Sequence, residues 1–177
     1  MNVSEAIRTK RAVRQFKPDP LPQETMQTIV NAGRRAQSSK NTQPWRFIVV
    51  TDRVLLEKIS KLGQYAGHLA GAAMGVMILT PDPDSRFSVM FDAGQAASYM
   101  QLAAWELGIG SCLATIYEPE KARKLFCFPG EWHLRIALSF GYPAEGEMLT
   151  RPPKQGGRAS FGEVVHWNTW ESSTCDE

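Results

Sequence analysis

Two stretches of this sequence carry side chains that could do chemistry. Between Arg8 and Lys17 stand five basic residues, Arg8, Lys10, Arg11, Arg14 and Lys17, with no acidic residue among them. Guanidinium and ammonium groups that converge on one anion make a phosphate site. Cations also suit the C-terminus of a helix, and composition leaves both readings open. A nucleic-acid arm is disfavoured, because neither a second basic stripe nor interleaved aromatic residues accompany the cluster. The second stretch is Ser38-Ser39-Lys40-Asn41-Thr42-Gln43, closed by Pro44 and Trp45. Its amides both donate and accept hydrogen bonds, which suits the edge of a heterocycle with imide-like polarity. An Asx-type turn over a buried Trp45 is the plainer alternative. Pro44 disfavours helical backbone at the residue before it, so Gln43 is expected to be extended.

Other apparent motifs fail. "GIGSCL" begins like G-x-G-x-x-G but has Leu113 in the third glycine's place, and its glycines follow a helix rather than a strand. No P-loop and no G-x-S-x-G is present. Tyr117 and Lys121 have Y-x-x-x-K spacing, which chance supplies often. His68, His133 and His166 have no metal-like spacing with one another or with Cys112, Cys127 and Cys175. A metal enzyme is therefore not expected.

The elements that must position these residues are legible from period and punctuation. "VSEAIRTK" reads as a short helix with apolar Val3, Ala6 and Ile7. Pro22 can occupy the first position of a second helix, with Met26, Ile29, Val30 and Gly33 on one face. Phe47–Val50 reads as a buried strand, and Asp52 as the N-cap of "VLLEKISKLG". "GVMILT", "SCLATI" and "LRIALSFG" are further strands. The longest helix runs from about residue 87 to 107, with Ala93, Ala96/Ala97, Met100, Ala103/Ala104 and Leu107 as a stripe at spacings of three and four. Gly108 ends that helix, and Pro119 starts a short one. Ser160 and Glu163 form a capping box for a last helix. Interleaved helices and strands mean a sheet with helices packed on it.

At 177 residues with 43% hydrophobic composition, the chain suits one folded domain, or one and a half. Its net charge of +2 argues against a general polyanion binder. No apolar run reaches the roughly 20 residues that span a bilayer, and no signal-peptide pattern follows Met1. The three widely spaced cysteines fit a reducing cytosol better than a disulfide framework, so a cytoplasmic protein is expected.

Four ordered pieces carry a resemblance. They are "IRTKRAVRQF", "QSSKNTQPWRFIVV", "FDAGQAASYMQLAAWELGIGSC", and "GYPAE" followed by "GRASFGEVVHW". Over nearly its whole length the chain thereby resembles the FMN-dependent nitroreductase family. The resemblance implies an α+β fold, a mixed and mainly antiparallel sheet flanked by helices. It also implies one domain over residues 1–177, with a C-terminal tail (about 167–177) that is extended or reaches a partner subunit. Carried over by position, Lys10, Arg11, Ala12 and Arg14 belong to the FMN site, Lys10 near the phosphate and Arg14 near the N1/C2-carbonyl side of the ring. Arg158 completes the phosphate clamp. Ser38, Asn41 and Gln43 hold polar groups of the ring and ribityl chain, while backbone groups of Ala114, Thr115 and Ile116 pass beside N5.

A cation near N1 stabilises reduced flavin and raises its reduction potential. The implied activity is ping-pong reduction of nitroaromatic, quinone or similar small acceptors by a homodimer, with NADH or NADPH as donor and no obligatory acid or base from the protein. An FMN-binding module without turnover, for storage or sensing, and a flavin-dependent dehalogenase-like relative are the alternatives. Three positions depart from the family pattern. Ala12 lacks the usual Ser hydroxyl, Gln37 replaces Pro, and Lys10 trades an Arg fork for a point charge. FMN binding is expected to survive these departures.

Overall fold

Local caps and hydrophobic period set the element boundaries in the computed structural model, which describes residues 1–144 and 157–170. In chain order the elements are α1 (Val3–Thr9), α2 (Gln23–Arg34), β1 (Arg46–Val50), α3 (Arg53–Ser60), β2 (Met74–Thr80), α4 (Ser88–Glu106), β3 (Gly110–Thr115), α5 (Pro119–Phe126), β4 (His133–Gly141) and α6 (Phe161–Val164). Short 3-10 turns occupy Ser39–Asn41 and Gly67–Leu69. Asp52 caps α3 by accepting from the Leu55 N–H at 2.8 Å, one of the donors the first turn would otherwise leave unmet. Pro119 sits in the first turn of α5. Gly108, at φ 74°, takes the left-handed conformation that lets the chain leave α4 and enter β3. Pro22 is the N-cap of α2 with extended backbone, so the first helical residue is Gln23, one position later than expected.

The four strands pair in the order β1-β2-β4-β3, all antiparallel. A parallel bridge from Ala12 to Ser111 lays the N-terminal segment along the start of β3. The expected α+β class, with a mainly antiparallel sheet flanked by helices, is what the chain forms. On one face, Met74, Val76, Ile78, Ile136, Leu138 and Phe140 pack against α2 and α4. On the other, Met77, Leu79, Ala114 and Leu134 meet Leu56 and Ile59 of α3 and Ala122 of α5. Strand β2 is buried along its whole length. This explains why its sequence reads as a continuous apolar run rather than an alternation.

Helix α4 is the central support. Ala93, Ala96, Ala97, Met100 and Ala104 are buried on the expected stripe, whereas Leu107 is exposed because the helix has already ended beneath it. The small stripe lets α2 approach closely. A Cβ on Gly33 would lie 2.2 Å from Met100 Cε, so the roughly 1 kcal/mol that glycine costs inside a helix is offset by this fit.

Candidate functional site

The basic cluster divides in two. Arg11 turns back on its own helix and donates to the carbonyls of Arg8 (2.9 Å) and Lys10 (3.0 Å), capping the end of α1. This is the helix-end role for that residue. Beyond it the chain is extended, and side chains alternate. Val13 is buried, while Ala12 and Arg14 are exposed on the opposite side. The Val13 N–H donates to the Ser111 carbonyl at 3.0 Å. Contact there is close, since a Cβ on Gly110 would lie 2.7 Å from Val13 Cβ. Thr9, on the other flank, accepts from Trp105 Nε1 at 3.0 Å. The segment is therefore pinned between the end of α4 and the start of β3.

Half-buried Lys10 and exposed Arg14 lie close enough to each other and to Cys112 for their charges to act on one another, and Arg14 acts likewise on His68. Burial pulls the Lys10 ammonium below its ordinary 10.5; Cys112 acts against that shift and Arg14 adds to it. The Cys112 thiol is pushed up by burial, with Arg14 and then Lys10 acting the other way. Among the described residues neither cation has an ion-pair partner, and Lys10 is partly withdrawn from water, which suits a phosphate-bearing ligand. A dianion there would favour charged Lys10, so affinity for such a ligand should fall as pH rises through the lowered Lys10 pKa, below 10.5. Titrating FMN affinity against pH checks this, and Lys10→Arg should flatten the alkaline loss.

Strand β3 is an edge strand. Because Ile116 N–H donates to the Arg135 carbonyl (2.9 Å), the antiparallel alternation turns the backbone groups of Ala114 inward to β4. Those of Ser111, Leu113 and Thr115 turn away from β4, where the Ser111 carbonyl already accepts from Val13 N–H and Leu113 and Thr115 are left at the edge. Of the expected N5-side contacts, then, Thr115 has outward backbone groups, whereas those of Ala114 and Ile116 serve the ladder. Leu113, whose residue type gives no hint of a binding role, is the second outward residue. The Thr115 carbonyl end of this edge is closely covered, since a Cβ on Gly63 would lie 2.2 Å from that oxygen.

The polar run Ser38–Gln43 folds back on itself. The Gln43 N–H donates to Ser38 Oγ at 2.9 Å, and Gln43 Nε2 reaches Asn41 Oδ1 at 3.2 Å. Trp45 N–H closes a tight turn on the Gln43 carbonyl at 2.8 Å. Lys40, Asn41 and Gln43 have φ of 51°, 53° and 47°. The expectation of an extended Gln43 is therefore corrected, because the Ser38 hydroxyl and the turn over Pro44 outweigh the local preference against it. Three non-glycine residues in this region of conformational space within four positions is a concentration of strain characteristic of ligand sites. Asp92 of α4 holds the loop by accepting from the Ser39 N–H at 3.1 Å, with its second carboxylate oxygen buried and unpaired among the described residues. Arg86 Nη2 reaches Thr42 Oγ1 at 3.2 Å. Asn41 and Gln43 are exposed, and Ser38 is half-buried.

The two clusters do not meet within one chain. The polar loop leads into Arg46, whose end of the sheet carries Leu79 and Leu134, whereas the basic segment adjoins Ser111 at the Val50–Gly75 end. They also lie at opposite sheet edges, three strand spacings or about 14 Å apart. Along α4 their anchors, Asp92 and Trp105, are separated by about 20 Å. Arg158 lies just before α6, exposed and without a hydrogen bond or ion pair among the described residues. Among those residues, no group of three or more His, Cys, Asp or Glu could hold a metal ion. No helix there is long and apolar enough to cross a membrane.

The profile of the Nitroreductase family matches residues 7–64 and 62–142. The chain belongs to this family. A Methanothermobacter thermautotrophicus protein, provisionally named NADH dehydrogenase/NAD(P)H nitroreductase, is 30% identical over 151 residues, covering 82% of this chain and 79% of its own. The iodotyrosine deiodinase of Thermotoga neapolitana is 28% identical over 166 residues, covering 78% and 87%. Among solved structures, the FMN-dependent nitroreductase of Clostridium difficile R20291 superposes with a TM-score of 0.78 at 26% identity, covering 93% of this chain and 98% of that one. Nitroreductase membership and these names support an oxidoreductase.

At these clusters the sequence weighs His68 only as a metal ligand and does not single out Arg86 or Asp92. The signals for His68 and Asp92 were a lone histidine in a segment of small residues and an acid inside an apolar helix stripe.

Proposed function

We propose that this nitroreductase is an FMN-dependent NAD(P)H oxidoreductase, acting by ping-pong reduction of nitroaromatic, quinone or similar small acceptors. The observation that carries this reading is the segment holding Lys10 and Arg14, bridged to β3 at Ser111, with both cations acting on Cys112 of that strand. Two cations, one partly buried, next to outward-facing backbone groups on an edge strand suit a phosphate joined to a planar, polar-edged ring. Bound FMN would supply two-electron chemistry between NADH or NADPH and the acceptor. The chain's own work is to bind, orient and set charge. Lys10 would hold the phosphate, Ala12 would offer backbone only, Arg14 would face the N1/C2-carbonyl side, and the Leu113–Thr115 edge would flank the ring.

The diagonal separation of the polar loop supports a homodimer in which Ser38, Asn41 and Gln43 of one copy complete the basic half-site of the other. A two-fold axis brings such corners together. The exposed Phe161, Val164, Trp167 and Trp170 support a C-terminal arm that packs on the partner; residues 171–177 of the expected tail lie outside the described residues. In this arrangement Arg158 reaches the phosphate once the arm is seated. Arg158→Ala should then weaken FMN binding by roughly 1.5–3 kcal/mol, and an unaltered dissociation constant removes it from the clamp. The whole chain is read as one such domain. Free thiols at Cys112 and Cys127 fit a cytoplasmic location.

Steady-state kinetics test the activity. Reconstituted protein should give parallel double-reciprocal lines when NADH or NADPH is varied at several fixed quinone or nitroaromatic concentrations. Intersecting lines contradict the ping-pong scheme, and no turnover leaves the binding module. The deiodinase similarity favours one rival, a dehalogenase, which halide release faster than quinone reduction would identify.

A further inference from the structure

Asp92 puts a carboxyl group where its helix is otherwise apolar. It stands in the second turn of α4, 3% exposed, among buried Val89, Ala93 and Ala96. One oxygen, Oδ1, accepts from the Ser39 N–H at 3.1 Å. The other, Oδ2, is buried with no hydrogen-bond partner among the described residues. Taking a carboxyl group out of water and meeting only one of its oxygens costs stability. A local rule broken inside an otherwise consistent helix marks a functional position.

The one bond that Asp92 makes goes to the polar loop. Ser39 opens the turn in which Lys40, Asn41 and Gln43 hold φ of 51°, 53° and 47°. Residues in that region persist only where their surroundings over-determine them. The loop's other side-chain bonds, Gln43 N–H to Ser38 Oγ, Gln43 Nε2 to Asn41 Oδ1 and Arg86 Nη2 to Thr42 Oγ1, lie at exposed positions, where water competes. The Asp92 bond differs, because its acceptor is buried on a helix that packs into the core. At the far end of the loop Trp45 is 4% exposed. The loop is thus fixed from beneath at Ser39 and Trp45, while Asn41 and Gln43 stay exposed.

We propose that Asp92 is the positioning residue of the polar loop. By holding the Ser39 N–H, its Oδ1 selects the left-handed backbone that presents Asn41 and Gln43 to bound FMN. Asp92 itself touches no cofactor atom. This inference rests on the FMN reading. It adds to the site a residue of α4 to which the family resemblance gave no role.

Two variants of similar outline separate positioning from general support of the fold. Asparagine keeps an acceptor at the Oδ1 position, and leucine keeps the branched shape without it. FMN dissociation constants are measured on the full chain by flavin-fluorescence quenching, and melting temperatures on the FMN-free protein. Asp92→Leu should raise the FMN dissociation constant about tenfold. Its FMN-free melting temperature should be no lower than the parent's, because the unmet oxygen is gone. Asp92→Asn should stay within about threefold of the parent's affinity. Unchanged affinity in Asp92→Leu, or equal losses in both variants, overturns the inference. A lower melting temperature in Asp92→Leu overturns it too, since the residue then supports the fold at large.

Should either variant fail to fold, amide hydrogen exchange in the unsubstituted protein decides. Saturating FMN should slow exchange of the Ser39 N–H about tenfold or more, because opening the loop then requires releasing FMN. An unchanged rate overturns the inference. If the unsubstituted protein takes up no FMN, both this inference and the reading beneath it fall. FMN uptake with any of the other adverse outcomes removes the Asp92 role alone.

Discussion

Arg14→Ala is expected to lower the midpoint potential of bound flavin by about 30–60 mV. The figure follows from losing a charge-assisted interaction of roughly 1.5–3 kcal/mol that is stronger in the reduced state, at about 30 mV per 1.4 kcal/mol for a two-electron couple. Oxidised flavin carries no charge at N1, so the interaction is differential, and only differential interactions move a potential. FMN affinity should fall less than the potential does, because Lys10 still faces the phosphate. Potentiometry checks this, and an unchanged midpoint means that Arg14 does not face N1.

The largest effect is expected from mixing two defective chains. One carries Lys10→Ala and Arg14→Ala; the other carries Asn41→Ala and Gln43→Ala. Each homodimer should lose most of its FMN, since every site lacks one half of its contacts. A dimer of one chain of each kind should recover FMN in half of its sites. There the intact basic segment of the second chain meets the intact polar loop of the first. If all contacts came from a single chain, no site in the mixed dimer would be whole and nothing would be recovered. The diagonal placement of the two clusters, about 20 Å apart along α4, is what makes half-recovery the expected result.

Features governed by neighbours in sequence are legible in the sequence alone. Asp52 as N-cap, Pro119 at the start of α5, the Ser160–Glu163 capping box and Gly108 past the end of α4 each act within a turn of their own position. Gln43 shows where local reasoning stops. The proline rule concerns residue pairs, whereas a hydroxyl five positions earlier and a turn over the proline decide its backbone. His68 and Ser139 are 71 positions apart, and Ser39 and Asp92 are 53 apart. Neither pairing has a periodic signal: His68–Ser139 depends on the order β1-β2-β4-β3, which sets the last strand in chain order beside β2, and Ser39–Asp92 depends on α4 lying against the loop before β1.

The basic cluster obeys the same limit. Arg8, Lys10, Arg11 and Arg14 look alike in composition, yet the end of α1 captures Arg11 while extended backbone carries Arg14 to β3. Which cations remain for a ligand is a matter of where the helix ends.

The central claim is that this member of the Nitroreductase family binds FMN and reduces it with a nicotinamide donor. An absorbance spectrum of the purified protein, before and after anaerobic NADH or NADPH, tests that claim most directly. The account predicts bands near 370 and 450 nm, roughly the free-flavin positions, that bleach on addition. Bands that persist with both donors contradict the reductase and leave a binding module. An absence of bands even after FMN is supplied contradicts the site itself.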